Sequence, residues 1–288
     1  MFNIPTQYYT GINIPSELDL NKFLCIITIQ NYDVDDQLEL VWRIGSENFN
    51  VKVYAGKINN TRVAVKVLKY AHKLDHEITI NKLLQHDVNN NLYFLYYIKG
   101  QVCHSGINDN DHDNDNDNGI LIMEMAMCDI KQKIKYCVII QQDIYRMITE
   151  VLESLLVLAR LGIYHGDLHA GNVFIVMRDG KFRTVIGDFG ESMLSTSPTS
   201  SSSDLFQFIR SLREEISYCH NNHHGITSTL DVLYQTIGKI AGKCENNFDI
   251  YLELGSSDSN TTIKCNVEFI QTIMNEWEKL MLNIINNE

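Results

Sequence analysis

The sequence predicts an α+β protein with its strands gathered in the first half and its helices in the second. Three observations predict it. Between residues 38 and 68, three segments rich in Val, Ile and Tyr alternate in part between apolar and polar side chains. They are separated by Gly45-Ser46-Glu47-Asn48 and Asn59-Asn60, as in an antiparallel meander. From 141 to 161, Ile144, Ile148, Val151, Leu152, Leu155 and Leu158 recur at the helical period and the run stops near Gly162. Of the 288 residues, 44% are hydrophobic and 21% charged, enough apolar material to build a core and too much for a wholly disordered chain.

The elements follow in order. The first 38 residues hold one apolar stretch, 18–29, entered through Pro15-Ser16-Glu17, and read as an N-terminal extension that opens on a helix start. Strands are expected at 38–44, 51–58 and 62–68. Segment 74–84, LDHEITINKLL, sets Leu74, Ile78, Ile80 and Leu84 at near-helical intervals, with Asp75 and Glu77 near its start, where the helix dipole favours acids. Two further strands are expected at 92–98 and 120–125. Between them, NDNDHDNDNDN at 108–118 has no apolar side chain to offset the entropy of ordering, so a disordered insertion at about 106–119 is expected. The second half reads as helices at 141–161, 204–218, 230–242 and 267–285, with a hairpin of 173–177 and 182–186 around Asp179-Gly180.

Composition excludes several classes of function. Lys and Arg number 24 against 36 Asp and Glu, a formal charge of −12, and no basic stripe appears, which argues against a nucleic-acid partner. Five of the acids, Asp109, Asp111, Asp113, Asp115 and Asp117, fall in the insertion, which weakens any claim that net acidity selects a basic substrate. The 7 cysteines are scattered without a C-x-x-C pair, as expected of free thiols in a reducing compartment. No window of about 18 residues is apolar enough to span a membrane and Met1 to Thr10 has no signal-peptide pattern, so a cytoplasmic protein is expected. Cys219, His220, His223 and His224 lack the paired spacing of a zinc site and read as a solvated loop.

Three segments carry chemistry. VAVKVLK at 63–69 sets Lys66 in a strand among apolar neighbours. HGDLHAGNVFI at 165–175 sets Asp167 and Asn172 five apart in a loop after a long helix. IGDFGES at 186–192 puts Asp188 at the end of the hairpin's second strand. In this order they resemble the third-strand lysine motif, the catalytic loop and the DFG sequence of the protein-kinase-like superfamily. The resemblance covers about residues 39–218. It implies a bilobal fold, with an antiparallel β N-lobe carrying one helix over 39–126 and a mainly helical C-lobe over 127–288.

Phosphoryl transfer needs a cation for the nucleotide phosphates, oxygen ligands for magnesium and a carboxylate for the acceptor hydroxyl. By the resemblance, Lys66 holds the α- and β-phosphates of ATP and Glu77 pairs with it. Asp167 orients and deprotonates the acceptor, and Asn172 and Asp188 supply hard oxygen ligands for magnesium. LIMEM at 121–125 resembles the strand entering the hinge, which makes Met123 the gatekeeper, turns backbone groups of Glu124 and Ala126 to adenine and sets Asp129 near the ribose. Gly45, Val53 and Ala64 complete the nucleotide-binding set that the resemblance implies.

Departures from the family pattern carry information. IGSENFNVKVYAG keeps Gly45, Phe49 and Val53, but Glu47 and Asn50 fall near the second and third glycine positions, which weakens phosphate contact there. Gly166 stands where many protein kinases have the arginine that reads a phosphorylated activation loop, so no such switch is expected. His169 replaces the lysine that commonly neutralises the transferred phosphate, a pattern shared with aminoglycoside-type and choline-type kinases. From Asp188 to Asp204 the chain is short, lacks an APE-like motif, and reads at Ser195 to Ser203 as a flexible polar linker or, second, an autophosphorylation site. The expectation is a serine/threonine protein kinase acting on a protein substrate. The alternatives are a small-molecule kinase, favoured by HGDLH and the short segment, and a pseudokinase scaffold, favoured by the degraded glycine loop. The compact loop and the Asn- and Ile-rich composition resemble kinases of large DNA viruses.

Overall fold

The computed structural model describes residues 38–44, 50–58, 61–69, 72–86, 92–103, 118–136, 140–194, 200–218, 224–253 and 259–285. The extension over 1–37, Gly45, Glu47, Phe49, the insertion at 104–117, the linker at 195–199, Cys219, His220 and His223 lie outside them. The chain divides into two compact units, Met1–Ile78 with Tyr97–Met125, and Thr79–Tyr96 with Ala126–Glu288. The class is α+β as expected.

The first unit is built on a five-stranded antiparallel sheet of β1 (Leu38–Ile44), β2 (Val51–Ile58), β3 (Thr61–Leu68), β4 (Tyr97–Cys103) and β5 (Asn118–Glu124), in the order β1-β2-β3-β5-β4. Alternation along the central strands separates two faces. Val63, Val65, Val67, Ile120 and Ile122 form an apolar cluster with Leu40, Tyr54 and Ile58 on one. On the other, cross-strand pairing aligns Val53 with Lys66 and Leu121, and Ala55 with Ala64 and Met123. Helix α1 (His72–Gln85) starts in this unit, with Leu74 fully buried against Gly119.

The second unit holds β6 (Cys128–Asp129), α2 (Ile130–Lys135), α3 (Gln141–Arg160), β7 (Ile163–Tyr164), β8 (Val173–Arg178), β9 (Lys181–Ile186), β10 (Met193–Leu194), α4 (Ser200–Ser217), α5 (His224–Glu253) and α6 (Ser259–Ile285). Strands pair as β6-β8-β9 and as β10-β7. Its core is the predicted stripe of α3 packed with Leu205, Phe208, Ile209 and Leu212 of α4 and Phe269, Ile270, Ile273 and Trp277 of α6. Trp277 is 1% exposed and still donates its indole N–H to Thr149 Oγ1 at 2.9 Å, so the largest core side chain has its polar atom satisfied. Buried Glu150 of α3 accepts the Thr184 N–H at 2.9 Å and ties β9 to the core helix. The β8–β9 turn has positive φ at both Asp179 (51°) and Gly180 (72°), the geometry expected of an Asp-Gly hairpin.

Four expectations need correction. The apolar run at 92–98 is not one strand. Phe94 bridges in parallel to Ile186, while the strand proper is β4, which starts at Tyr97 and runs on to Cys103 through Lys99, Gly100 and Gln101. An apolar run records burial but not which neighbour buries it. The insertion ends sooner than expected, because Asn118 and Gly119 already pair in β5 with Cys103 and Val102. Helices α5 and α6 start well before 230 and 267, and α5 also runs on past 242; the first turns of α6 bury polar Thr262 and Asn266, which add no apolar period. Helix α4 begins at Ser200, not Asp204, and Ser200, Ser201 and Ser202 are buried, so this half of the serine run is neither linker nor accessible phosphorylation site. Asn266 of α6 supports the early start, its Oδ1 accepting the Ser201 N–H of the first turn at 3.0 Å.

Candidate active site

The predicted residues fall into two groups, one in each unit. In the first unit, Lys66 is in mid-strand on β3 and Glu77 is one and a half turns into α1. The ammonium donates to both carboxylate oxygens, at 3.0 Å to Oε1 and 2.8 Å to Oε2, and the side chains are 5% and 1% exposed. Burying two charges is made tolerable by their meeting in bidentate geometry. Val53, Ala64 and Met123 share the Lys66 face of the sheet, Ala64 and Met123 being buried. Glu124 is the last residue of β5 and pairs with Val63, so its side chain belongs to the opposite face.

The other group lies in the second unit, in the loop between β7 and β8 and the turn after β9. Ala126 belongs to this unit too, two residues before β6. Asp129 is the N-cap of α2, its Oδ1 accepting the Gln132 N–H at 2.6 Å, so its carboxylate serves the helix start.

Asp167 is fixed from several directions. Its N–H donates to His165 Nδ1 at 3.3 Å, and its carbonyl accepts from Asn172 Nδ2 at 2.9 Å. On the carboxylate, Oδ1 accepts from Gln207 Nε2 at 3.1 Å, and Oδ2 lies 3.4 Å from Asn172 Nδ2 and 3.6 Å from His169 Nε2. His169 accepts the Gly171 N–H at Nδ1, which closes the short 3-10 turn Ala170–Asn172 and leaves Nε2 as the nitrogen near Asp167. Asp188 sits at φ 61°, a left-handed conformation that Asp tolerates better than most residues and that reverses the chain directly after β9.

His165 is fully buried and joins the two segments. Its Nδ1 accepts from Asp167, so the proton resides on Nε2, which donates to the Gly187 carbonyl at 3.1 Å. Burial holds this imidazole below the usual histidine range, against the pull of the Gly187 carbonyl, so the neutral tautomer is the working one. The ring also lies 5.1 Å from Phe189, and the Gly187 N–H returns a bond to the Asn172 carbonyl at 3.0 Å.

Helix α4 anchors the loop from beneath. The Asp204 carboxylate accepts the N–H of His165 at 2.9 Å and of Gly166 at 3.0 Å, and Ser211 Oγ accepts the Ala170 N–H at 3.0 Å. Gly166 has φ 82°, and a Cβ there would stand 2.5 Å from the Glu191 carbonyl oxygen, so the backbone itself excludes the arginine of the common motif. Burial pushes the Asp204 carboxyl up to about 7, against its two backbone donors, with the negative charge of Asp167 adding to the rise. The folded state therefore binds a proton here more tightly than the unfolded chain, whose Asp titrates near about 4. The stability it contributes is fully present below about 4 and is lost as pH rises through about 7. In thermal melts across that range, wild type is expected to lose stability relative to Asp204→Asn as pH rises; parallel curves would show that Asp204 does not titrate there.

A buried helix near Asp204 that buttresses the loop was legible in the sequence, but the side-chain contacts of His165, Asp204, Gln207 and Ser211 were missed. The signal was present: Asp204, Gln207 and Ser211 recur at intervals of three and four, a polar stripe beside the apolar stripe Leu205, Phe208, Ile209 and Leu212. Asn172 and Asp188 carry hard oxygen atoms, and because Asn172 Nδ2 is engaged with Asp167, its amide oxygen is the atom that could meet a cation. Among the described residues, no group of three or more His, Cys, Asp or Glu side chains could hold a metal ion. No helix of the described residues is long and apolar enough to cross a membrane.

No family model matches the chain, and no curated protein matches it. Among solved structures it is similar to a MAP kinase from Leishmania major, at 19% identity and a TM-score of 0.45 over 62% of this chain and 55% of that one. The chain thus spans about half the length of that kinase.

Proposed function

We propose that the chain is an ATP- and magnesium-dependent phosphotransferase, a serine/threonine protein kinase that transfers the γ-phosphate of ATP to a hydroxyl of a protein substrate. The observation that carries this reading is the Asp167–Asn172 pair, in which one side chain holds a carboxylate in place by its amide nitrogen and keeps a hard oxygen for a cation. Asp167 accepts the proton of the attacking hydroxyl through its carboxylate. His169, with Nε2 beside that carboxylate, donates to the transferred phosphate when protonated. Lys66, oriented by Glu77, takes the α- and β-phosphates, and Val53, Ala64 and Met123 on the same face of the sheet take the adenine together with backbone groups of Glu124. Magnesium, when bound by Asn172 and Asp188, neutralises phosphate oxygens and supplies charge stabilisation to the transfer.

A second reading, a small-molecule acceptor, is favoured by one observation. Strand β10 ends at Leu194 and α4 begins at Ser200, which leaves little chain from which to build a peptide-docking shelf. Both readings are separated by one assay. The purified chain is incubated with γ-labelled ATP and magnesium, alone, with mixed protein acceptors, and with aminoglycoside or choline-like alcohols, each beside an EDTA arm. Label on serine or threonine of protein, lost in EDTA, is the expected result. Label confined to small alcohols would replace the protein-kinase reading, and nucleotide binding without transfer to any acceptor would leave a scaffold.

A further inference from the structure

We infer that Gln207 is a positioning residue for Asp167, holding one carboxylate oxygen so that the other is presented to the acceptor hydroxyl; this deepens the phosphotransferase reading and rests on it. The main chain of Asp167 is already pinned at its N–H by His165 and at its carbonyl by Asn172. What remains free to turn is the carboxylate itself. Gln207 removes that freedom with a 3.1 Å bond to Oδ1, whereas Oδ2 has only the longer neighbours Asn172 Nδ2 and His169 Nε2 at 3.4 and 3.6 Å. The Asp167 side chain stays 43% exposed, so Oδ2 is reachable by a substrate.

The chemistry of the donor matters as much as its place. A hydrogen bond to an ionised carboxylate favours the ionised form, and a full positive charge at that distance would favour it far more and make the oxygen a poorer proton acceptor. A neutral amide therefore orients the base with little loss of basicity. Gln207 lies one turn beyond Asp204 and one turn before Ser211, so three side chains on one face of α4 hold three successive points of the loop, His165 with Gly166, Asp167, and Ala170. Asp204 and Ser211 receive backbone donors and set the path of the loop. Gln207 alone of the three touches a side chain, and that side chain is the proposed base. The other titratable groups that act on Asp167 are His165 and His169 from its own loop and Asp204 from α4.

The test uses the full chain with Gln207→Met, which keeps length and loses the donor, and Gln207→Glu, which sets a second carboxylate against Asp167. Two readouts are taken: kcat and the KM for ATP with a protein acceptor, and the carbon-13 NMR line of the Asp167 carboxyl at neutral pH, assigned with Asp167→Asn. The carboxyl line is expected to move in Gln207→Met, and kcat to fall about tenfold with the KM for ATP unchanged, Gln207→Glu falling further. An unmoved line and an unchanged kcat in folded Gln207→Met would overturn the inference. A moved line in a chain that transfers phosphate to nothing would support the Gln207 contact and sink the phosphotransferase reading instead, so the two failures are told apart.

Discussion

Asp167→Ala is expected to transfer phosphate about 10³-fold more slowly than wild type while binding nucleotide equally well, the loss usual when a positioned general base is removed. Such a result is interpretable only if the loop survives, and its bonding indicates that it does. The N–H of Asp167 goes to His165, its carbonyl to Asn172, and the flanking backbone to Asp204 and Ser211, none of which uses the carboxylate. Removing the side chain frees Gln207 Nε2 and takes from buried Asn172 its longer 3.4 Å contact, while its 2.9 Å bond to the Asp167 carbonyl remains. Asp188→Asn separates binding from chemistry from the other side, because it removes a proposed magnesium ligand and is expected to weaken nucleotide binding that depends on the metal as well as turnover. Equilibrium binding of a fluorescent nucleotide with and without magnesium, beside single-turnover transfer, distinguishes the two. If Asp167→Ala kept transfer within tenfold of wild type, Asp167 would not be the base.

How much of this was legible in the sequence depends on whether an interaction is local or long-range. The β strands at 38–44 and 51–58, the helix over 141–160 and the Asp-Gly hairpin follow from period and turn chemistry, which neighbouring residues determine. Asp167 and Asn172 were legible as a pair because they stand five positions apart in one loop. His165 was quoted in the motif but without a role, since its work is done by contacts to Gly187 and to Phe189, more than twenty residues away. The start of α4 was misread because four serines carry no helical period, and the Asn266 side chain that caps them is 65 residues distant. Gly166 is the reverse case. Its departure from the arginine of the common motif was visible, but the reason, a left-handed backbone pressed on the Glu191 carbonyl, is tertiary.

Loss of Glu77 gives the largest expected change in stability. Glu77→Leu leaves the Lys66 ammonium buried without the carboxylate that now meets it at 2.8 and 3.0 Å, and breaking a buried pair from one side costs about 3–5 kcal/mol. Removing both charges is different. In Lys66→Met with Glu77→Leu no charge remains to be desolvated, the apolar neighbours Leu121 and Ala64 already surround the site, and the double variant is expected to regain most of that loss. Urea unfolding of the four proteins at neutral pH measures the cycle. A double variant as unstable as the sum of the singles would show that the two residues act independently despite their distance. The same four proteins bear on function, since a pair kept at the expense of stability needs another reason to be present. If the double variant is as stable as wild type yet transfers no phosphate, the buried charges are there for the nucleotide rather than for the fold.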